Sequence, residues 1–230
     1  MLSSTKQIDI ESSVKCLQIL TYSNKKYWRS IVEYGAVEKM CNILKQYASD
    51  LLVLNDKVTK INGQIFSLPA DADKEILNGL RDEIKAAHEE ILPQKNVDIA
   101  TNTLSVLCNL CDQNEVKICL SEIKDLCEFI MKILRFAQNE DVESRIAILI
   151  SDIVNANEAF KSQLADRGCL DLLMKLLDRD TEDLLVNVVN ALETLCKNNL
   201  SNQNYCCDKG VLASLINLLS LNSGKFKLNN

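Results

Sequence analysis

Proline and glycine are scarce in this chain: two and six, respectively, among 230 residues. With aromatic residues at 5%, that scarcity excludes a β-sandwich or barrel, whose short strands need frequent turns. No stretch approaches the roughly 18 apolar residues of a membrane span. The N-terminus, Met1-Leu2-Ser3-Ser4-Thr5-Lys6, lacks the apolar region of a secretory signal, so no membrane insertion is expected. Clustered positive charge is missing as well. The net charge is −6, and Lys25-Lys26 with Arg29, like Lys225 with Lys227, are small spots of solvated surface, so nucleic acid is not an expected partner. There is no P-loop, dinucleotide fingerprint, G-x-S-x-G or H-E-x-x-H. The only histidine, His88, stands beside Glu89 and Glu90 and reads as a solvated helix residue. No enzymatic activity and no cofactor are expected.

Apolar residues make up 47% and charged residues 25%, the balance of a globular chain. Ten cysteines are present. Most fall in apolar helical patterns, where a free thiol acts as a small hydrophobe. That usage fits a reducing compartment, and a cytoplasmic or nuclear location is expected. Cys108-Asn109-Leu110-Cys111 is a C-x-x-C, with Cys119 and Cys127 downstream, and four thiols could hold zinc. However, Cys111 and Cys196 take equivalent positions in the repeat described next, and Cys119 and Cys127 sit on successive apolar stripes. Packing is the expectation for them, and no metal site is expected. Cys206 aligns with Leu164 and Ile31; Cys207 is the candidate for an exposed, oxidisable thiol.

One phrase recurs. Glu33-Tyr34-Gly35-Ala36-Val37, Asp166-Arg167-Gly168-Cys169-Leu170 and Cys207-Asp208-Lys209-Gly210-Val211-Leu212 each lead into an apolar helical run. Gly168 and Gly210 are 42 residues apart, and a fourth copy at Glu122-Ile123-Lys124-Asp125-Leu126 places Lys124 44 residues before Gly168. A period in the forties built from helices marks an all-α solenoid. Eleven residues before each joint stand Asn24, Gln113, Asn157 and Asn199, residue types suited to helix corners. The glycines suit the left-handed conformation that separates two helices; at Lys124 either strain or a different turn is expected. Preceding helices carry Val14, Leu17 and Leu20; Leu104, Leu107 and Leu110; Ile146, Leu149 and Ile153; and Val188, Leu192 and Leu195, at spacings of three and four. Helix starts are expected at Asn139-Glu140-Asp141 and at Asp180-Thr181-Glu182-Asp183.

Residues 47–94 break the period. Leu51, Leu54, Val58, Ile61, Ile65 and Leu68 form one stripe and Ile76, Leu80, Ile84, Ala87 and Ile91 another, separated by a turn at Pro69-Ala70-Asp71-Ala72-Asp73. A degenerate repeat, a projecting helical hairpin and a flexible insert all fit. The remaining organisation reads as a partial repeat over 1–46, three repeats over 95–222 and a flexible tail at 223–230. The first helix is expected to begin near Asp9.

The pattern of a corner Asn, ten residues, a glycine and an apolar helix resembles the armadillo repeat, best over Asn155 to Leu173 and more widely over 9–46 and 96–222. That resemblance implies an armadillo-like right-handed superhelix of about four to five repeats, each a short helix and two longer ones, with the longest lining a concave groove. Family groove helices often carry an Asn that bonds a peptide backbone. The matching positions are Ile19, Asn109, Asp152 and Thr194, and only Asn109 keeps it. Nuclear-import receptors add a Trp, where this chain has Lys15, Ser105, Ile148 and Asn190, while Trp28 lies on another helix. Import-type recognition is therefore not expected; generic groove binding is.

In that register Asn102, Ser105, Asn109, Arg145, Ile148, Asp152, Asn187, Asn190 and Thr194 face the groove, either as a protein-binding surface or simply as the solvated side of helices. The expected function is a protein-interaction scaffold binding a peptide or helix. A structural or assembly factor (ciliary, adhesion or cytoskeletal) and a small-GTPase regulator are the alternatives. Apolar, uncapped ends raise the further expectation of a fragment, a short isoform or one part of a larger assembly.

Overall fold

The computed structural model describes the backbone of residues 2–23 and 25–223 and the side chains of 10–22 and 26–219. The expected tail beyond Ser223 and the corner at Asn24 lie outside the described residues. In chain order the elements are α1 (Leu2–Ser23), a 3-10 turn (Lys25–Tyr27), α2 (Trp28–Glu33), α3 (Ala36–Phe66), α4 (Lys74–Ile91), α5 (Gln94–Leu110), α6 (Asn114–Ser121), α7 (Leu126–Phe136), α8 (Glu140–Ala156), α9 (Glu158–Asp166), α10 (Cys169–Leu176), α11 (Glu182–Cys196), α12 (Leu200–Asp208) and α13 (Val211–Ser223). No strand occurs among the described residues. Helix α1 begins seven residues before the expected Asp9.

The repeated unit is two shorter helices separated by a joint, then a longer third helix. It is complete in α6–α7–α8 and in α9–α10–α11. The third helices pack side by side in order, α1 on α5, α5 on α8 and α8 on α11, while α3 packs on α7 and α7 on α10 in a second row. Between the rows lies one continuous core. Leu104, Leu107, Ile130, Ile133, Ile146, Leu149, Ile150, Leu173 and Val188 are fully enclosed. Each such side chain contributes roughly 1.5–3 kcal/mol by leaving water.

The joints are set by backbone sign. Gly35, Gly168 and Gly210 have φ of 70°, 81° and 84°, a region most side chains avoid. In the fourth copy the left-handed residue is Asp125, φ 67°, and not Lys124. A short polar side chain tolerates that conformation better than a long one, and Lys45 Nζ donates to Asp125 Oδ2 at 3.0 Å. Asn139, Asn157 and Asn199 cap α8, α9 and α12, accepting from the backbone N–H of Val142, Phe160 and Asn202. Gln113 caps α6 without a side-chain bond. At the α11 start the cap position is Thr181, which does not bond the helix backbone; its hydroxyl donates to Glu140 instead.

Helix α3 runs unbroken through positions 46 and 47, where a boundary between units was expected. Its stripe from Val37 to Leu54 faces the core, and Ile61 is also buried. After a turn at 67–73, where Asp73 accepts from Glu75 N–H at 2.9 Å, α4 folds back along α3. Lys57 pairs with Glu90 at 3.1 Å, and Ala87 is the one buried residue of α4. The chain then enters α5, which takes its place between α1 and α8.

Candidate functional site

The expected groove residues lie on three adjacent helices: Asn102, Ser105 and Asn109 on α5; Arg145, Ile148 and Asp152 on α8; Asn187, Asn190 and Thr194 on α11. Because α5, α8 and α11 are laid side by side at a near-constant offset in sequence, these positions form three aligned rows. Seven of the nine are half-buried and Asn190 is exposed. Ser105 departs from expectation: it is buried, and its hydroxyl donates to the Thr101 carbonyl at 2.8 Å. A fourth row flanks them, Asp98, Asp141 and Asp183, one on each helix.

Several of these side chains already serve the stacking. Asn109 Nδ2 donates to Thr21 Oγ1 of α1 at 3.1 Å, and Asn187 Nδ2 donates to Ser144 Oγ of α8 at 2.8 Å. The Thr194 hydroxyl bonds back to the carbonyls of Asn190 and Ala191. Asp152 lies 3.7 Å from Lys117; burial pushes its carboxyl above the usual range, with Lys117 opposing. The Arg145 Nε is buried without a partner among the described residues. The Asn102 and Asn190 amides make no side-chain bond among the described residues, which leaves them the uncommitted members of the array.

Bonds on the other faces follow the same repeat step. Asn157 Nδ2 donates to Ser121 Oγ at 2.8 Å, and the buried Lys161 donates to the Lys197 carbonyl at 2.9 Å. Arg179 donates to Glu143 Oε1 at 3.0 Å. None of these was legible from residue type, because each requires the distance between successive repeats.

The cysteines divide. Cys41, Cys111, Cys127, Cys169 and Cys206 are buried, but Cys119 is exposed, against the expectation of packing, and Cys207 is exposed too. The Cys108 thiol donates to the Arg145 carbonyl at 3.5 Å, and burial pushes its pKa up to about 12. No group of three or more His, Cys, Asp or Glu able to hold a metal ion occurs among the described residues. His88 is exposed on α4, its Nδ1 2.8 Å from the Ile84 carbonyl.

The sequence reading also passed over a cleft of about 510 Å³ where α3, α4 and the α7–α8 connection meet, lined by Tyr47, Asn55, His88, Phe136 and Gln138 among others. Burial pushes the Tyr47 hydroxyl up to about 12. No helix among the described residues is long and apolar enough to cross a membrane.

Comparison with solved structures shows what this succession of helices is. Computationally designed armadillo repeat proteins for modular peptide recognition superpose with a TM-score of 0.61 at 20% identity, over 95% of this chain and 71% of theirs. The chain has the armadillo-repeat fold. A second designed armadillo protein matches with a TM-score of 0.54 at 18% identity, over 91% and 85%. A third, solved in complex with the peptide (KR)4, matches with a TM-score of 0.54 at 17% identity, over 91% and 84%. No family model matches the sequence, and neither does any curated protein. In that succession α5, α8 and α11 are the third helices, and α4 lies between α3 and α5.

Proposed function

We propose that this armadillo-fold chain is a protein-interaction scaffold that holds an extended partner segment across α5, α8 and α11. The observation that carries the reading is the aligned array of amide, hydroxyl and carboxylate side chains on three parallel, adjacent helices. A primary amide offers both donors and an acceptor, which matches the alternating N–H and C=O groups of an extended backbone. Packed helices lie about 8–10 Å apart and an extended chain advances about 3.3 Å per residue, so every second or third partner residue meets a new helix. The row of Asp98, Asp141 and Asp183 favours basic side chains along one edge of that partner. The binding of (KR)4 by a designed protein of the same fold supports the reading.

Selection from a random-peptide display library, followed by titration of the enriched peptide, tests it. Enriched peptides are expected to carry Lys or Arg at repeating intervals. An Asn102→Ala, Asp141→Asn double variant should bind the enriched peptide about tenfold more weakly, the loss expected when well-placed contacts are removed. Undiminished binding by a folded double variant would place the partner elsewhere. Failure to enrich any peptide would count against a scaffold of this kind.

A further inference from the structure

The side of α8 that receives α11 is known in detail. Glu140, Glu143 and Ser144 bond Thr181, Arg179 and Asn187. Ala147, Ile150 and Val154, further along the same stripe, are buried. A shift of 42 residues maps that stripe onto α11 as Glu182, Leu185, Val186, Val189, Leu192 and Cys196. There Glu143, Ser144 and Ala147 give way to Leu185, Val186 and Val189, while Glu140 keeps its acid as Glu182. Val186 is nonetheless 53% exposed. A trough of about 630 Å³ runs between this stripe and α13, walled by Leu185, Val186, Val189 and Leu218. Beyond Val189 it continues for about 170 Å³ past Cys196, Cys206 and Leu215. The trough therefore follows α11 along the line that α11 itself follows on α8.

We infer that this trough is a docking site for an amphipathic helix of a partner protein, preceded by basic residues, which packs on α11 as α11 packs on α8. Continuity with the α8–α11 interface sets the shape: a helix laid parallel to α11, apolar on one stripe. Charge sets the chemistry at its start. Asp178, Asp180 and Glu182 line the end of the trough near the beginning of α11, where the N-terminus of a parallel helix, the positive end of its dipole, would lie. One repeat earlier Arg179, just ahead of α11, fills the corresponding role against Glu143. A second copy of this chain is a poorer occupant. The side of α1 that would meet α11 in a head-to-tail stack carries exposed Ser12, Ser13 and Cys16, with Leu20 as its apolar contribution. The trough touches the proposed peptide face at Asn190 alone, so variants at Asn102 and Asp141 on one side and at Val186 and Val189 on the other separate the two readings.

The test uses a fluorescent peptide copying residues 179–197 with Asp180→Lys, Glu182→Lys, Asp183→Gln, Asn187→Leu and Cys196→Ser, titrated by anisotropy into the full chain. Saturable binding is expected, weakened about tenfold by Val186→Glu in the protein, as for loss of a central apolar contact. Val186→Ser with Val189→Ser serves as the milder variant should the glutamate disturb folding. Asp178→Lys with Asp180→Lys should weaken binding and flatten its salt dependence. Asn102→Ala with Asp141→Asn should leave it unchanged. No binding up to ~1 mM, or equal affinity for the serine variant, would overturn the inference. So would light scattering that shows a dimer of the wild type dissociated by Val186→Glu, since the occupant would then be a second copy.

Discussion

Glu143 is the residue whose surroundings ask most of it. It is 2% exposed; Oε1 accepts from Arg179, and Oε2 is buried without a partner among the described residues. Burial raises its pKa, Arg179 opposing and Glu140 adding. A carboxyl whose folded pKa lies above its unfolded value holds its proton more tightly when folded. Its contribution is therefore fully present below the ordinary carboxylate range and is lost as pH rises through the raised value. Glu143→Gln imitates the protonated form. Denaturant unfolding should find it at least as stable as the wild type at pH 7, with the advantage gone at about pH 4, near the ordinary carboxylate range. A variant less stable than the wild type at pH 7 would mean that the Arg179 pair outweighs burial. Nothing in the residue type announces this site: Glu143 lies in the first turn of α8, where acids are ordinarily solvated. Its burial follows from Arg179, which is 36 residues away.

At the scale of elements, glycine has two opposite uses. Gly63 is exposed inside α3, and an added Cβ would meet no atom within 4 Å; Gly63→Ala should stabilise by about 0.5–1 kcal/mol. Gly168 has φ 81°, and the same substitution there should destabilise by about 1–2 kcal/mol. Urea unfolding of the two variants checks both signs. The joints at Gly35, Gly168 and Gly210 were legible because only glycine takes that backbone freely. The fourth was displaced by one residue, since Asp125 fills the role without a glycine to mark it. The asparagine caps were legible for the same chemical reason that they work, a short side chain reaching a backbone N–H. The start of α11 at Asp180-Thr181-Glu182-Asp183 was legible too, with Thr181 at the cap position and two acids in the first turn, but the Thr181 hydroxyl serves the neighbouring repeat and makes no bond to its own helix.

Across the whole molecule, stability comes from neighbour-to-neighbour stacking. Helices α5 and α8 are each flanked by helices of their own row on both sides, whereas α4 rests on α3 and buries one residue. Hydrogen exchange followed by mass spectrometry should find α8 among the last segments to exchange and α4 among the first. Uniform protection would mean that the solenoid opens as one unit. The rows of the candidate face were legible once the armadillo resemblance set the register on the period, because a constant offset brings equivalent positions together. Which of their amides are already committed was not: Asn109 and Asn187 look alike in sequence to Asn102 and Asn190, and only the packed repeats distinguish them. The trough beside α11 escaped notice for a related reason. Its walls, Val186 and Leu218, read as ordinary members of apolar stripes until the helices on either side are in place.

The turn at 67–73 joins α3 to α4 without lying in either row. A cut there would leave the helix-on-helix stacking of both rows untouched, with α1 still able to meet α5 and α3 still able to meet α4, α5 and α7. The chain thus contains a natural seam for fragment complementation. Two separately made pieces, each silent on its own, would report their co-expression by reassembling one molecule.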